Sequence, residues 1–238
     1  MKKILIALLT LTMIFSFAGC TKKEDPNKKS EGVMTYAEFA SAPLDSTVTV
    51  ETYVQAKQSW WDNKGTFYTQ DGEGGYFLYE MRCSEEEYNK LTPGTKIRVK
   101  GTKSAWAGEV EIVDATYEIL EGKYEAKALD VTNLLGTDKL EEKMNLFILM
   151  KGLTVKDYGN GKAFEYKNAE NKTDDLYVKF EKDGKEYEFC VEYYLCNNDT
   201  DVYKAVEGLK IGDVVDIEGF LYWYNVPNVH MTKVTVTK

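Results

Sequence analysis

The sequence predicts an all-β protein with a few short helices, built from two similar five-stranded units. Three observations carry that prediction. The segment Leu91-Thr-Pro-Gly94-Thr-Lys-Ile97-Arg-Val99-Lys-Gly101 recurs as Leu209-Lys-Ile-Gly212-Asp-Val-Val215-Asp-Ile217-Glu-Gly219 at a constant offset of 118 residues, and self-similarity at a fixed offset marks repeated structural units. Runs of alternating apolar and polar residues, the period of a half-buried strand, recur through both halves. Glycine-rich turns, above all Asp71-Gly72-Glu73-Gly74-Gly75 between two aromatic-rich runs, mark hairpins because glycine enters positive φ without strain.

The first unit spans residues 32–122 and opens on Thr35-Tyr-Ala-Glu38, a capping box in which hydroxyl and carboxylate satisfy each other's backbone N–H groups at the start of a short helix. Val48, Val50, Thr52 and Val54 then alternate with Thr49, Glu51, Tyr53 and Gln55 as a first strand. Residues 67–70 and 76–81 give the second and third strands, with Phe67, Phe77 and Tyr79 expected in or beside the core. Ser84-Glu-Glu-Glu87 caps a second short helix, and residues 95–102 and 109–120 supply the last two strands. The second unit, 123–238, offers strands at 145–155 and 162–167, then a longer stretch over 176–195 folded by a hairpin at Asp183-Gly184. A helix near 199–207 and strands at 213–222 and 229–237 complete it. A tyrosine and a cysteine precede the repeated leucine in both copies: Tyr88 and Cys83 in one, Tyr203 and Cys196 in the other.

Three strands, a helix and two strands is the order of an oligonucleotide/oligosaccharide-binding (OB) barrel. Phe67-Tyr-Thr-Gln-Asp71-Gly72-Glu-Gly74 resembles the hairpin between strands 2 and 3 of OB domains, where an aromatic strand runs into Asp-Gly-x-Gly. That resemblance covers nearly all of the first unit. Phe164-Glu-Tyr-Lys-Asn-Ala-Glu-Asn lacks the turn, so the second unit is assigned through the 118-residue offset. Taken whole, the chain resembles the tandem OB-fold lipoproteins of Gram-positive bacteria. The resemblance implies two Greek-key barrels with ligands on strands 2 and 3, between the loops joining strands 1–2 (L12) and 4–5 (L45).

Aromatic residues gather at those places. Trp60 and Trp61 fall in the first L12 and Trp106 in the first L45, while Tyr68 lies on the second strand. Tyr158 falls in the second L12, and Tyr222, Trp223 and Tyr224 in the second L45. All four tryptophans are thus expected beside the ligand face, where exposed rings stack on sugars or bases. The competing expectation is that these rings cover barrel ends or pack the units together.

Charge discriminates among ligands. The chain carries a net charge of −9, and the two units carry −7 and −5; affinity for nucleic acid rests mainly on neutralising phosphates, for which neither unit has the excess. Lys96, Arg98 and Lys100 form one basic stripe opposite the inward-facing Ile97 and Val99. It is expected to be a solvated face, or to dock on the Asp216/Glu218 face of the other unit or on an acidic ligand.

Residues 1–19 read as a signal: Lys2 and Lys3, an apolar run over 4–17, then Phe17-Ala18-Gly19-Cys20. The run is shorter than a membrane span, and small residues before a cysteine resemble the lipobox of bacterial lipoproteins. That resemblance implies cleavage before Cys20, acylation of its thiol with diacylglycerol, and attachment to the extracytoplasmic face of the cell membrane by palmitate-type chains. Removing residues 1–19 takes away two lysines and no acids, moving the net charge to −11. Residues 20–31 contain Thr-Lys-Lys-Glu-Asp-Pro-Asn-Lys-Lys-Ser-Glu and, with no apolar side chain to bury, are expected to be a solvated tether.

Catalysis finds little support. The single histidine, His230, sits in a strand-like run and is expected to be structural; no P-loop, dinucleotide turn or Cys-x-x-Cys occurs, and neither metal nor cofactor is expected. Acid pairs at Asp71/Glu73, Asp174/Asp175 and Asp199/Asp201 read as turn acids without EF-hand spacing. Cys83, Cys190 and Cys196 leave a Cys190–Cys196 pair, a Cys83–Cys196 pair or three free thiols open. The sequence therefore points to a lipid-anchored, non-enzymatic binding module whose partner is a saccharide, peptide or envelope protein. A single-stranded nucleic-acid binder and a spacer with its aromatics buried between the units are the alternatives.

Overall fold

The computed structural model describes residues 25–159, 161–168 and 173–238; the signal-like segment and Cys20 lie outside them. The chain folds as helix α1 (Tyr36–Ser41), strands β1 (Thr47–Lys57), β2 (Lys64–Gln70) and β3 (Gly75–Arg82), helix α2 (Glu85–Lys90), then β4 (Thr95–Trp106) and β5 (Glu109–Lys123). Both expected capping boxes form, Thr35 with Glu38 and Ser84 with Glu87. The strands close in the order β1-β2-β3-β5-β4, with a short parallel pairing of β3 to β5 at Phe77 and Leu78.

The second half repeats the plan. After β6 (Leu129–Asp130) and two 310 turns come β7 (Phe147–Val155), β8 (Glu165–Tyr166), β9 (Leu176–Lys182), β10 (Lys185–Val191), α3 (Asp201–Glu207), β11 (Val214–Tyr224) and β12 (Val226–Val236). β7 pairs with both β11 and β9, so β7-β9-β10-β12-β11 closes a second barrel, again with one parallel pairing, β10 to β12 at Cys190 and His230. The fold is therefore mostly β, with two closed five-stranded OB-type barrels. One expectation is corrected. Residues 162–167 are not the second barrel strand: only Glu165 and Tyr166 are extended, as β8 on the flank of β9. The Asp183-Gly184 hairpin, with both residues at positive φ, instead joins barrel strands 2 and 3 and is the counterpart of the Asp71 turn.

The 118-residue repeat has a steric cause. Ile97, Val99, Val215 and Ile217 are all buried in the barrel cores. Gly94 and Gly212 take φ of +85° and +93°, and each donates its N–H to the end of strand 1 of its barrel, at Val54 and Val155. At Gly101 an added Cβ would lie 2.7 Å from Ile112 and Val113, and at Gly219 2.3 Å from the His230 carbonyl. Both glycines thus let the fourth strand bulge against the fifth.

The barrels share a third apolar cluster. Tyr68, Phe77 and Phe220 are buried together, with Phe147 and Tyr222 against them; Tyr68 stacks on Phe220 with ring centroids 4.6 Å apart. Hydrogen bonds tie the same joint: Phe147 N–H to Gln70 (2.9 Å), Trp223 N–H to Glu109 (2.8 Å) and Asn145 Nδ2 to the Val110 carbonyl (3.0 Å).

The described part of the expected tether is docked. Lys29 and Asp71 meet at 2.6 Å with side chains 7% and 0% exposed, and Lys29 also donates to the Glu51 carbonyl. Ser30 N–H reaches the Glu51 carboxylate at 3.3 Å, and Met34 bridges to β1. A lysine, not an apolar side chain, holds the segment down, a possibility that hydropathy alone does not show.

The basic stripe is absorbed locally. Arg98 donates through Nε (3.1 Å) and Nη2 (2.9 Å) to the buried Glu51, with Glu118 on its other side, and Lys96 lies 3.9 Å from Glu51; Lys100 is exposed. Docking onto the other unit's Asp216/Glu218 face does not occur: Asp216 accepts from Gly152 N–H and Glu218 pairs with Lys233.

Candidate functional site

Aromatic rings of a β protein are buried by default, so those left in solvent are informative. Among the described residues five aromatics are exposed: Trp61, Tyr79, Trp106, Tyr194 and Tyr224, between 43% and 69%. All five line one seam. It consists of three adjoining hollows of about 340, 380 and 440 Å³. The first shares Gln58 and Tyr79 with the second, and the second shares Lys167, Tyr177, Tyr224 and Asn228 with the third. The first barrel contributes its L12 (Trp61), strand β3 (Tyr79) and the two-residue β4–β5 hairpin after Trp106. The second contributes Tyr158 from L12, Tyr177 from β9, and Tyr222 and Tyr224 at the end of β11.

Of the residues singled out by sequence, Trp61, Trp106, Tyr158, Tyr222 and Tyr224 line the seam. Three expectations are corrected. Tyr68 is buried between the barrels and offers no ring face to a ligand. Trp60 turns inward onto the first core and donates its indole N–H to the Cys83 carbonyl at 3.0 Å. Trp223 is half-buried, packed over Gly108, where an added Cβ would meet it at 2.8 Å. Tyr79, Tyr177 and Tyr194 were missed. Tyr79, expected from the sequence in or beside the core, follows Phe77 on the outer face of β3, just beyond the inter-barrel contact.

The floor of the seam is polar but immobile. Gln58 Nε2 donates to the Tyr68 hydroxyl at 3.1 Å, so the Tyr68 proton points to His230 Nδ1, 2.6 Å away. His230 also stacks on Tyr222 at 4.3 Å, and burial drives its pKa down to about 3. It is a neutral structural acceptor. Burial raises Glu192 to about 7 despite the N–H groups of Tyr194 and Leu195, and Lys167 pairs with Asp175 at 3.1 Å. Among the described residues no group of three His, Cys, Asp or Glu side chains is arranged to hold a metal ion, and no helix is long and apolar enough to cross a membrane.

Behind Trp106, Glu109 is fully buried with its pKa raised to about 8 by burial. Its Oε1 has no hydrogen-bond donor, and burial outweighs the Asn145 and Trp223 hydrogen bonds that favour the charged form. The folded state then keeps a proton that the unfolded chain releases near 4.5. The stability contribution of Glu109 is complete below pH 4.5 and is lost as pH rises to about 8; that of His230 is complete above 6.5 and lost as pH falls to about 3. Glu109→Gln is expected to flatten the fall in stability over that window by up to about 1.4 kcal/mol per pH unit. Urea midpoints for both proteins across the window check this; parallel slopes would refute a protonated Glu109.

The three cysteines in the described residues are free and buried, which removes both pairings left open by sequence. Burial pushes the Cys83 and Cys196 thiols up to about 11 and Cys190 well above its ordinary value. A disulfide reagent such as DTNB is therefore expected to leave all three untouched in the native chain and to modify them on denaturation. Rapid native modification of any one would contradict its burial.

No protein-family model and no curated protein matches the chain. Among solved structures it is similar to the tetrameric p202 HIN2 (12% identity, 82% of this chain and 96% of that one, TM-score 0.33). It is similar also to the Ifi202 HINa domain in complex with a 20-base-pair double-stranded DNA (11% identity, 81% and 96%, TM-score 0.34). A murine DNA-binding protein bound to double-stranded DNA gives 10% identity over 80% and 96%, with a TM-score of 0.33. At those scores the likenesses say nothing about what this chain binds; its barrels stand on their own strand order.

Proposed function

We propose that the chain is a non-enzymatic binding protein, anchored through an acylated Cys20 at the extracytoplasmic face of the membrane, which holds a saccharide along the aromatic seam. The observation that carries this reading is the convergence of all five exposed aromatics of the described residues on one open groove. Flat rings flanked by amide and hydroxyl groups match the alternating apolar faces and hydroxyl edges of sugars. The tied-up His230 and the buried thiols support a binding role over a catalytic one.

A soluble form beginning after Cys20 is the material for the test. Trp61→Ala and Trp106→Ala, both exposed and outside the cores, are expected to leave folding unchanged and each to weaken glycan binding about tenfold, or about 1.4 kcal/mol. A glycan array followed by tryptophan-fluorescence titration reads the loss; no binding on the array, or an affinity unchanged from the parent in both variants, would defeat the proposal. Nucleic acid is the rival, favoured by fold analogy, which decides little about function. Acids outnumber bases in the seam, against a polyanion. Binding of labelled DNA at low salt that weakens steeply as salt rises would restore that rival.

A further inference from the structure

The geometry points to a narrower ligand: a glycan carrying protonated amino groups, in preference to one whose amines are acetylated or replaced by acids. This rests on the reading that the seam holds a saccharide. Five carboxylates line the seam against two lysines. Two of the five are matched, Glu80 by Lys64 at 2.6 Å and Asp175 by Lys167 at 3.1 Å, and Glu192 accepts the N–H groups of Tyr194 and Leu195. Glu165 and Glu188 remain, with no basic group within ion-pair distance among the described residues, in the hollow walled by Tyr158, Tyr166, Tyr177 and Tyr224.

Carboxylates set among ring faces are the surroundings an ammonium group favours, since the rings attract its charge through their π-faces and the acids through Coulomb forces. The chain shows this preference itself. Lys179 reaches from β9 to place its Nζ 4.7 Å from the centre of the Tyr158 ring, and the Tyr158 hydroxyl is hydrogen-bonded to Glu188. Stacking on Trp61 and Trp106 would seat the sugar rings without regard to their substituents. Glu165 and Glu188 would then discriminate at one end, attracting an amine, accepting an acetamide without gain and repelling a uronic acid.

The test titrates the soluble form, by calorimetry at moderate salt and slightly acidic pH, with a glucosamine hexamer and with its fully N-acetylated counterpart. The free amine form is expected to bind at least tenfold tighter. The double variant E165Q/E188Q is expected to bring the two affinities together. E141Q/E142Q, which removes the same charge from exposed positions outside the seam, is expected to keep them apart. Equal affinity of the unmodified protein for both hexamers would overturn the amine preference while leaving saccharide binding intact. Binding of neither would remove both readings. Hexalysine binding as tightly as the glucosamine hexamer would also overturn it, since the seam would then read charge without sugar.

Discussion

Tyr68→Ala is expected to lower the stability of the protein by about 3–5 kcal/mol, the cost of removing a large ring from a closed core. Tyr68 lies on the outer face of the first barrel but is buried by the second, stacked on Phe220 and edge-on to Phe77. Its hydroxyl joins Gln58 to His230, so truncation opens a cavity and also strands the buried His230 Nδ1 and removes a partner of the half-buried Gln58 amide. Tyr68→Phe separates these effects. It keeps the ring and leaves His230 Nδ1 without a donor, with an expected loss of about 1–3 kcal/mol. Because the barrels share this cluster, the parent protein is expected to melt in one transition and Tyr68→Ala in two, each barrel unfolding alone. Calorimetry distinguishes the outcomes: two transitions in the parent would mean that the joint contributes little, and one unshifted transition in the variant would refute its role.

Asp71→Ala is expected to cost a similar amount, about 3–5 kcal/mol, the usual result of leaving a buried charge without its partner. Asp71 accepts from Lys29 Nζ at 2.6 Å, from the N–H groups of Glu73 (2.7 Å) and Gly74 (2.8 Å), and from the Tyr76 hydroxyl (2.9 Å). One carboxylate thus fixes both the β2–β3 turn and the N-terminal segment. Lys29→Met alone is also expected to destabilise, since the acid then stays buried without its cation. Asn at 71 combined with Met at 29 removes both charges and is expected to recover most of the loss. A double-mutant cycle by urea unfolding measures this coupling; additive losses would show that the pair does not act as one. Released from Asp71, the chain around Lys28 and Lys29 should also become sensitive to a lysine-specific protease.

The first barrel was legible because its signals are local. The Thr35 and Ser84 capping boxes, the alternation after Val48 and the Asp71 turn each act within a few residues. The second barrel was legible through its repeated glycines, whose spacing reflects a bulge and a turn that only glycine fits. Strand 2 of that barrel was misplaced because Phe164-Glu-Tyr alternates like a strand yet is followed by no partner of adequate length. The site was half legible. Loop position brought out Trp61, Trp106 and Tyr224, but which rings remain in water is decided by contacts between the barrels. Period-2 patterning places Phe77 and Tyr79 on one face and cannot tell that the second barrel covers the former and stops short of the latter. The burial of Lys29 was illegible for the same reason: its partner lies 42 positions away.

The clasp at Lys29 sets a leash length. Only eight residues lie between Cys20 and Lys29, and the nine Cα-to-Cα steps of that stretch, fully extended, reach about 30 Å. With Cys20 held in the bilayer, as proposed above, the Asp71 end of the first barrel can stray no farther than that from the lipid surface. Under that proposal the first barrel would be held beside the lipid surface, and its ligand would be met in the layer next to the membrane.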